Sequence, residues 1–292
     1  MLAIIIPYYK ITFFEATLVS LANQTDKRFK VYIGDDASME DPTAILEKYK
    51  GQFDFEYHKF EENLGGKSLT KQWERCIALS QNEEWMMILG DDDVLGENVV
   101  EAFYSNLPEI VNTSNVVRFA SCKINDAGQE ISKTHENTKI ELSIDFLFRK
   151  SRSSLSEYIF NSKQIKTIGF KDFPLGWFSD VLAVLEFSNF ENVFSINEAI
   201  VYIRISSISI SGKKDNVSIK EKATFEFYYY LITQKNEMFN EFQKSVLQHK
   251  VNKCYLNNKR NGILFFKISK YYLTNFLILD YFKFLKSVAK MG

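Results

Sequence analysis

Short apolar runs alternate with helical spacing along the first hundred residues. Leu2 to Ile6 is continuously apolar and is stopped by Pro7, which fits a strand buried on both faces of a parallel sheet. Glu15 to Asn23 has helical spacing. Phe29 to Ile33 is the next strand and runs into Gly34-Asp35-Asp36-Ala37-Ser38. Asp41-Pro42 signals a helix start, and Gly51 follows its last expected residue, Lys50. Phe53 to Tyr57 alternates as a strand does. Glu62 to Lys67 is a glycine-containing loop that opens a helix over about 68–79. Trp85 to Leu89 is a fourth strand, and it breaks at Gly90 into Asp91-Asp92-Asp93. Strands alternating with helices predict a doubly wound α/β sheet.

The pattern then loses regularity. A helix is expected over 97–106, a strand over 115–120, and a hairpin over 123–132 around Asp126-Ala127-Gly128. Segments 143–150 and 163–168 read as short helices or loops. Pro174 to Phe187 begins as a turn and continues with helical spacing. Val193 to Ile196 and Ala199 to Ile205 read as two short strands. Residues 206–218 are polar and read as a mobile loop or linker. From about Ile219 the chain is helical and aromatic. This divides it into an α/β domain over 1–215 and a helical extension over 216–292.

Charge sharpens that division. Residues 244–292 carry ten Lys/Arg and one acid, Asp280, whereas the whole chain has a formal charge of −1. The overall balance gives no sign of nucleic-acid binding. The longest charge-free run in the tail, Tyr271 to Leu279, is too short to cross a bilayer. Two readings stay open: an interfacial helix meeting anionic lipid, or a helical cap with lysines reaching outward. Cys76, Cys122 and Cys254 have no metal-ligand spacing and suggest a reducing compartment. The opening residues lack a basic leader, so a strand is expected there and not a signal peptide. His58, His135 and His249 fit no ligand pattern.

Candidate chemistry centres on the acidic triplet. Adjacent carboxylates repel, and a hard divalent cation such as Mg²⁺ or Mn²⁺ is their natural partner. A solvated acidic turn ahead of a helix is the other reading. Three further features follow strand ends: Pro7-Tyr8-Tyr9, Gly34-Asp35-Asp36, and Asn63 to Lys71. In an open α/β sheet all four would meet along one edge, where ligands bind. An aromatic there can cover a base, a carboxylate can accept from a base or ribose, and a lysine-bearing loop can approach polar groups.

These stretches resemble the inverting family-2 glycosyltransferases of the GT-A fold. The resemblance spans about residues 1–210 and rests on Ile4-Ile5-Ile6-Pro7-Tyr8-Tyr9, Ser20-Leu21-Ala22-Asn23-Gln24-Thr25, Val31 to Ser38, Asn63 to Lys67, and Leu89 to Asp93. It implies a GT-A mixed sheet flanked by helices, with a C-terminal helical extension. It also implies a base pocket with Pro7, Tyr8, Tyr9 and Asp36, and donor contacts from Lys67, Lys71, Asp91 and Asp92. Asp91 and Asp93 would hold Mn²⁺ or Mg²⁺. Gly90 stands where the family often has its first acid, so an alternative register puts the work on Asp92 and Asp93. Asp180 matches the family's acceptor base, although Ser179 stands where Glu often precedes it; Glu186 is a weaker alternative. Trp177 would stack on an acceptor sugar, and Arg204 would pair with diphosphate. The implied reaction moves a sugar from a nucleoside diphosphate, most often UDP, to a saccharide or lipid-linked saccharide at the cytoplasmic face of a membrane. Two rivals are a catalytically silent nucleotide- or glycan-binding partner and a nucleotidyltransferase. The second lacks a glycine-rich basic signature after the first strand.

Overall fold

The computed structural model describes residues 1–149, 153–209, 216–257 and 261–290. The chain forms two compact units: Met1–Asp172 with Ser179–Lys214, and Phe173–Phe178 with Asp215–Gly292.

The first unit is built on one mixed sheet. Its first part follows the expected alternation: β1 (Leu2–Tyr8), α1 (Phe14–Ala22), β2 (Phe29–Asp35), α2 (Thr43–Glu47), β3 (Asp54–Lys59), α3 (Leu69–Ile77) and β4 (Trp85–Ile88). Strands β1 to β4 are mutually parallel in the order β3-β2-β1-β4. Side chains alternate between two cores, as strand pleating requires. Ile4, Ile6, Val31 and Met87 face Phe14, Leu18 and, from a later helix, Phe103. Ala3, Ile5, Tyr32 and Met86 face Trp73, Cys76 and Ile77 of α3. Because the strands are parallel, Tyr8, Asp35 and Gly90 all leave the sheet at the same edge.

The remainder completes the sheet differently from the sequence expectation. It comprises β5 (Val94–Leu95), α4 (Val99–Ile110), β6 (Val116–Ile124), β7 (Ile140–Leu142), α5 (Ser143–Phe148), β8 (Tyr158–Asn161), α6 (Ser162–Ile168), α7 (Ser179–Phe187) and β9 (Asn192–Arg204). Strand β8 lies antiparallel between β4 and β6, so the sheet is mixed and not purely doubly wound. Four residues bounded by a 3-10 turn and a helix carry too little periodicity to read as a central strand. The two strands expected over 193–205 are one, β9. The polar Asn197-Glu198 interruption is a bulge: Phe119 pairs with Ile196 and the next residue, Ala120, with Ile200. Strand β9 also pairs with β5, Val94 opposite Tyr202, which brings Arg204 to the acidic triplet.

The second unit contains α8 (Val217–Gln234), α9 (Glu241–Asn257), α10 (Gly262–Thr274) and α11 (Ile278–Lys290). Its core is aromatic. Phe178 stacks on Phe227 with centroids 4.6 Å apart. Tyr272 packs on Tyr281 and Phe284 across α10 and α11. Of the segment expected to be a mobile linker, residues 210–215 lie outside the described residues. No helix among the described residues is long and apolar enough to cross a membrane.

Candidate functional site

The three carboxylates after β4 have separate jobs. Asp91 Oδ2 accepts from the backbone N–H groups of Tyr9 and Lys10, both at 2.8 Å, and so fixes the turn after β1. Asp93 is buried. Its Oδ1 accepts from Arg204 N at 2.8 Å and its Oδ2 from Ser156 Oγ at 2.5 Å. Asp92 is partly buried, and among the described residues no hydrogen bond to its side chain is formed by another residue. Gly90 makes the cluster possible: a Cβ there would stand 3.0 Å from Asp92 Oδ1 and 3.1 Å from Asp93 Oδ2. An acid at that position would crowd the other two.

Burial holds all three carboxyls above their ordinary range, and repulsion from Asp92 adds to it at Asp91 and Asp93. Asp91 is pushed up to about 7 and Asp93 to about 8, each first by desolvation and then by the Asp92 charge. Asp92 is raised by desolvation, against the pull of Arg204 and Lys10. Arg204 is buried and uses its fork on backbone. Nε donates to Asp92 O at 2.9 Å, and Nη1 to Asn125 O at 2.6 Å. Its guanidinium carbon lies 4.5 Å from the Phe13 ring centroid. The arginine therefore ties the turn after β6 to the triplet. A cavity of about 340 Å³ beside it is lined by Asn125, Asp126, Ala127, Ile205, Ser206 and Ser207.

The neighbouring part of the same edge is organised by Asp35 and Asp36. Asp35 is fully buried, accepting from Ser38 N at 2.7 Å and the Tyr57 hydroxyl at 2.6 Å. Asp36 holds the glycine loop: Leu64 N donates to Oδ1 at 2.7 Å and Gly65 N to Oδ2 at 2.9 Å. Only glycine fits at 65, because a Cβ would come within 2.6 Å of Asp36 Oδ2. Arg75, on α3, pairs with Asp36, donates to Glu62 O at 2.8 Å, and stacks 3.9 Å over Phe60. Tyr8 points inward, donating to Glu40 O at 2.7 Å and packing on Phe14. Tyr9 is exposed, and Pro7 is partly exposed at the strand end. Lys67 is exposed and pairs with Glu62 at 3.2 Å; Lys71 is exposed one turn before Arg75.

Asp180 opens α7 and is partly buried. Desolvation raises its carboxyl, while a hydrogen bond from Ser153 opposes this. Ser153 Oγ also lies 3.2 Å from the Tyr158 hydroxyl. The short segment 153–157 thus touches Asp180 at one end and, through Ser156, Asp93 at the other. Glu186 is buried near the end of the same helix. Trp177 belongs to the second unit, where Lys220 Nζ lies 4.8 Å from its ring centroid.

The structure thus gathers Asp91, Asp92, Asp93 and Arg204 into one cluster, with Asp36 and the loop bearing Lys67 further along the edge. Sequence reasoning overlooked Arg75, Phe60, Lys10 and Ser156. Arg75 was legible, one helical turn after Lys71 on the same face. Ser156 was not, because its role depends on where β8 enters the sheet.

Comparison with known proteins fits this geometry. Residues 3–173 match the family described as Glycosyl transferase family 2. Crystal structures of Staphylococcus aureus TarS share the architecture. The 1–349 fragment in complex with UDP superposes with a TM-score of 0.62 at 15% identity, covering 89% of this chain and 73% of that one. The same fragment with UDP-GlcNAc gives 0.63 at 14% identity, covering 89% and 74%. A further TarS structure gives 0.61 at 14% identity over 87% of this chain and 43% of its own. Curated protein sequences gave no match. With the family matched over more than half its length and the sheet order in place, the chain belongs to glycosyl transferase family 2 and has the GT-A fold.

Proposed function

We propose that the protein transfers one sugar, with inversion, from a uridine diphosphate donor to a hydroxyl of a saccharide or lipid-linked saccharide in surface glycan synthesis. The observation that carries this reading is the division of labour in the triplet. Two carboxylates build the site, and Asp92 is left to face a ligand. The UDP and UDP-GlcNAc complexes of the TarS fragment support the choice of donor.

A divalent cation fits these residues in one way. Among the described residues, no group of three or more His, Cys, Asp or Glu side chains could hold a metal by itself. Mg²⁺ and Mn²⁺, however, are commonly held by one or two carboxylates together with substrate phosphates and water. Asp92 would be the protein ligand, in place of the Asp91–Asp93 pair expected from sequence. When bound, the cation supplies positive charge to the departing diphosphate.

The chain's own residues do the rest. Asp36 and Arg75 shape the base pocket by holding the glycine loop and the Phe60 face. Asp91 fixes the backbone under Tyr9, whose exposed ring is available to the base. Arg204 holds the turn at Asn125 and Asp126 against Asp92. Asp180 accepts the proton of the attacking hydroxyl, with Ser153 orienting its carboxylate. The raised affinity of Asp180 for a proton suits that role. Binding of UDP with and without Mn²⁺ tests the donor half; transfer by Asp180→Asn tests the base. A variant with normal turnover would remove Asp180 from the mechanism.

A further inference from the structure

The second unit carries more apolar surface than its packing uses. Helices α10 and α11 bury their inward faces on one another and on α9, through Phe265, Tyr272, Phe284 and Tyr255. Their outward faces still present Ile263, Phe266, Leu273, Phe276, Leu279 and Phe282. Phe276, at the turn between the helices, is 86% exposed, and Leu279 is 78% exposed. Exposed aliphatic and aromatic side chains gathered on one helical hairpin mark an interaction surface.

The charge around the patch identifies its partner. On α11, Ile278, Phe282 and Leu279 span one arc; Lys286 falls at its Leu279 side, and Lys290 and Lys283 follow just beyond Leu279. Lys270 interrupts the matching stripe on α10. Lys283 pairs with Asp280 at 2.8 Å, the one acid of the hairpin. Lys270, Lys286 and Lys290 have no ion-pair partner among the described residues. An apolar arc edged on one side by lysines, Lys286 and Lys290 without an ion-pair partner among the described residues, matches the profile of an interfacial helix on anionic lipid. An anionic glycan would use the lysines and leave the six apolar side chains in water. A second copy of the chain would bring like charges together.

We infer that the α10–α11 hairpin docks on the surface of an anionic bilayer, inserting Phe276, Leu279 and Phe282 among the lipids with the lysines at the headgroups. This surface serves attachment and is independent of donor chemistry.

The test is co-sedimentation of the full chain with vesicles of phosphatidylethanolamine and phosphatidylglycerol, against phosphatidylcholine alone. Binding to the anionic vesicles, weakened by salt, is expected. Phe276→Ser/Leu279→Ser/Phe282→Ser should abolish it. Lys283→Gln/Lys286→Gln/Lys290→Gln should lower partitioning by up to about 100-fold, since each basic residue contributes about fivefold at an anionic surface. Circular dichroism and UDP binding should be unchanged in both, because every altered side chain is exposed. Absence of binding by the wild-type chain would overturn the inference, as would binding insensitive to both triple variants. A dimer in light scattering that the apolar variant dissolves, without vesicle binding, would assign the face to a second copy instead.

Discussion

Replacing Asp93 by alanine should unfold the site, whereas replacing Asp92 should leave the fold intact. Truncating Asp93 strands the Arg204 N–H and the Ser156 hydroxyl, both of which it now accepts from in a buried setting. Each buried donor left unsatisfied costs about 1–3 kcal/mol. Against this, the variant no longer has to desolvate a carboxyl that burial and Asp92 already push up to about 8. The net expectation is a loss of about 2–4 kcal/mol, or a fall in thermal midpoint of roughly 4–16 °C for a domain of this size. Asp92 is partly buried, and among the described residues no neighbour hydrogen-bonds its side chain, so Asp92→Asn should shift stability by no more than about 1 kcal/mol. The same Asp92→Asn should remove the dependence of UDP binding on Mn²⁺. Thermal unfolding followed by circular dichroism reads the first effect and calorimetry the second. Equal destabilisation by both variants, or a stable Asp93→Ala, would refute the separation of roles.

Other outcomes follow from the same geometry. Asp180→Asn should bind UDP normally and lose turnover by about 10²–10⁴-fold, measured by release of UDP from the donor with acceptor present. Arg75→Lys should weaken UDP binding roughly tenfold, because lysine can neither stack over Phe60 nor reach Asp36 and Glu62 O together. Metal-free protein should lose stability as pH rises through about 7 to 8. The folded Asp91 and Asp93 carboxyls hold protons there that the unfolded chain has already released, so the stability they contribute is full below about 4 and is gone above their folded values. Melting curves at pH 5.5 and 8.5 check this, and a midpoint that rises with pH would contradict it.

The first half of the fold was legible because each of its strands is a continuous apolar run closed by a polar turn. Leu2 to Ile6 and Trp85 to Leu89 could be placed inside a sheet, and parallel order then put their ends together. The second half was less legible because its pairing is non-local. Strand β8 is four residues long and owes its place to β4 and β6, and β5 is two residues paired to β9. The site followed the same division. Asp36 and the triplet stood out as acids at strand ends. Which acid is held by its neighbours depended on Ser156 and Arg204, 63 and 111 residues from Asp93, and no local pattern encodes that. The family resemblance pointed to Lys71, whereas Arg75, one turn further along α3, is the one aimed at Asp36.

The measurement that tests the account most directly is calorimetric binding of UDP, GDP, CDP and dTDP, each with and without Mn²⁺, alongside Mn²⁺ alone. The account predicts that UDP binds, that Mn²⁺ strengthens its binding, and that Mn²⁺ without nucleotide gives no signal, because on the proposed reading Asp92 would be a single ligand that needs the diphosphate to complete the site. Folded protein that binds none of the four nucleotides, or that binds Mn²⁺ tightly on its own, would contradict it.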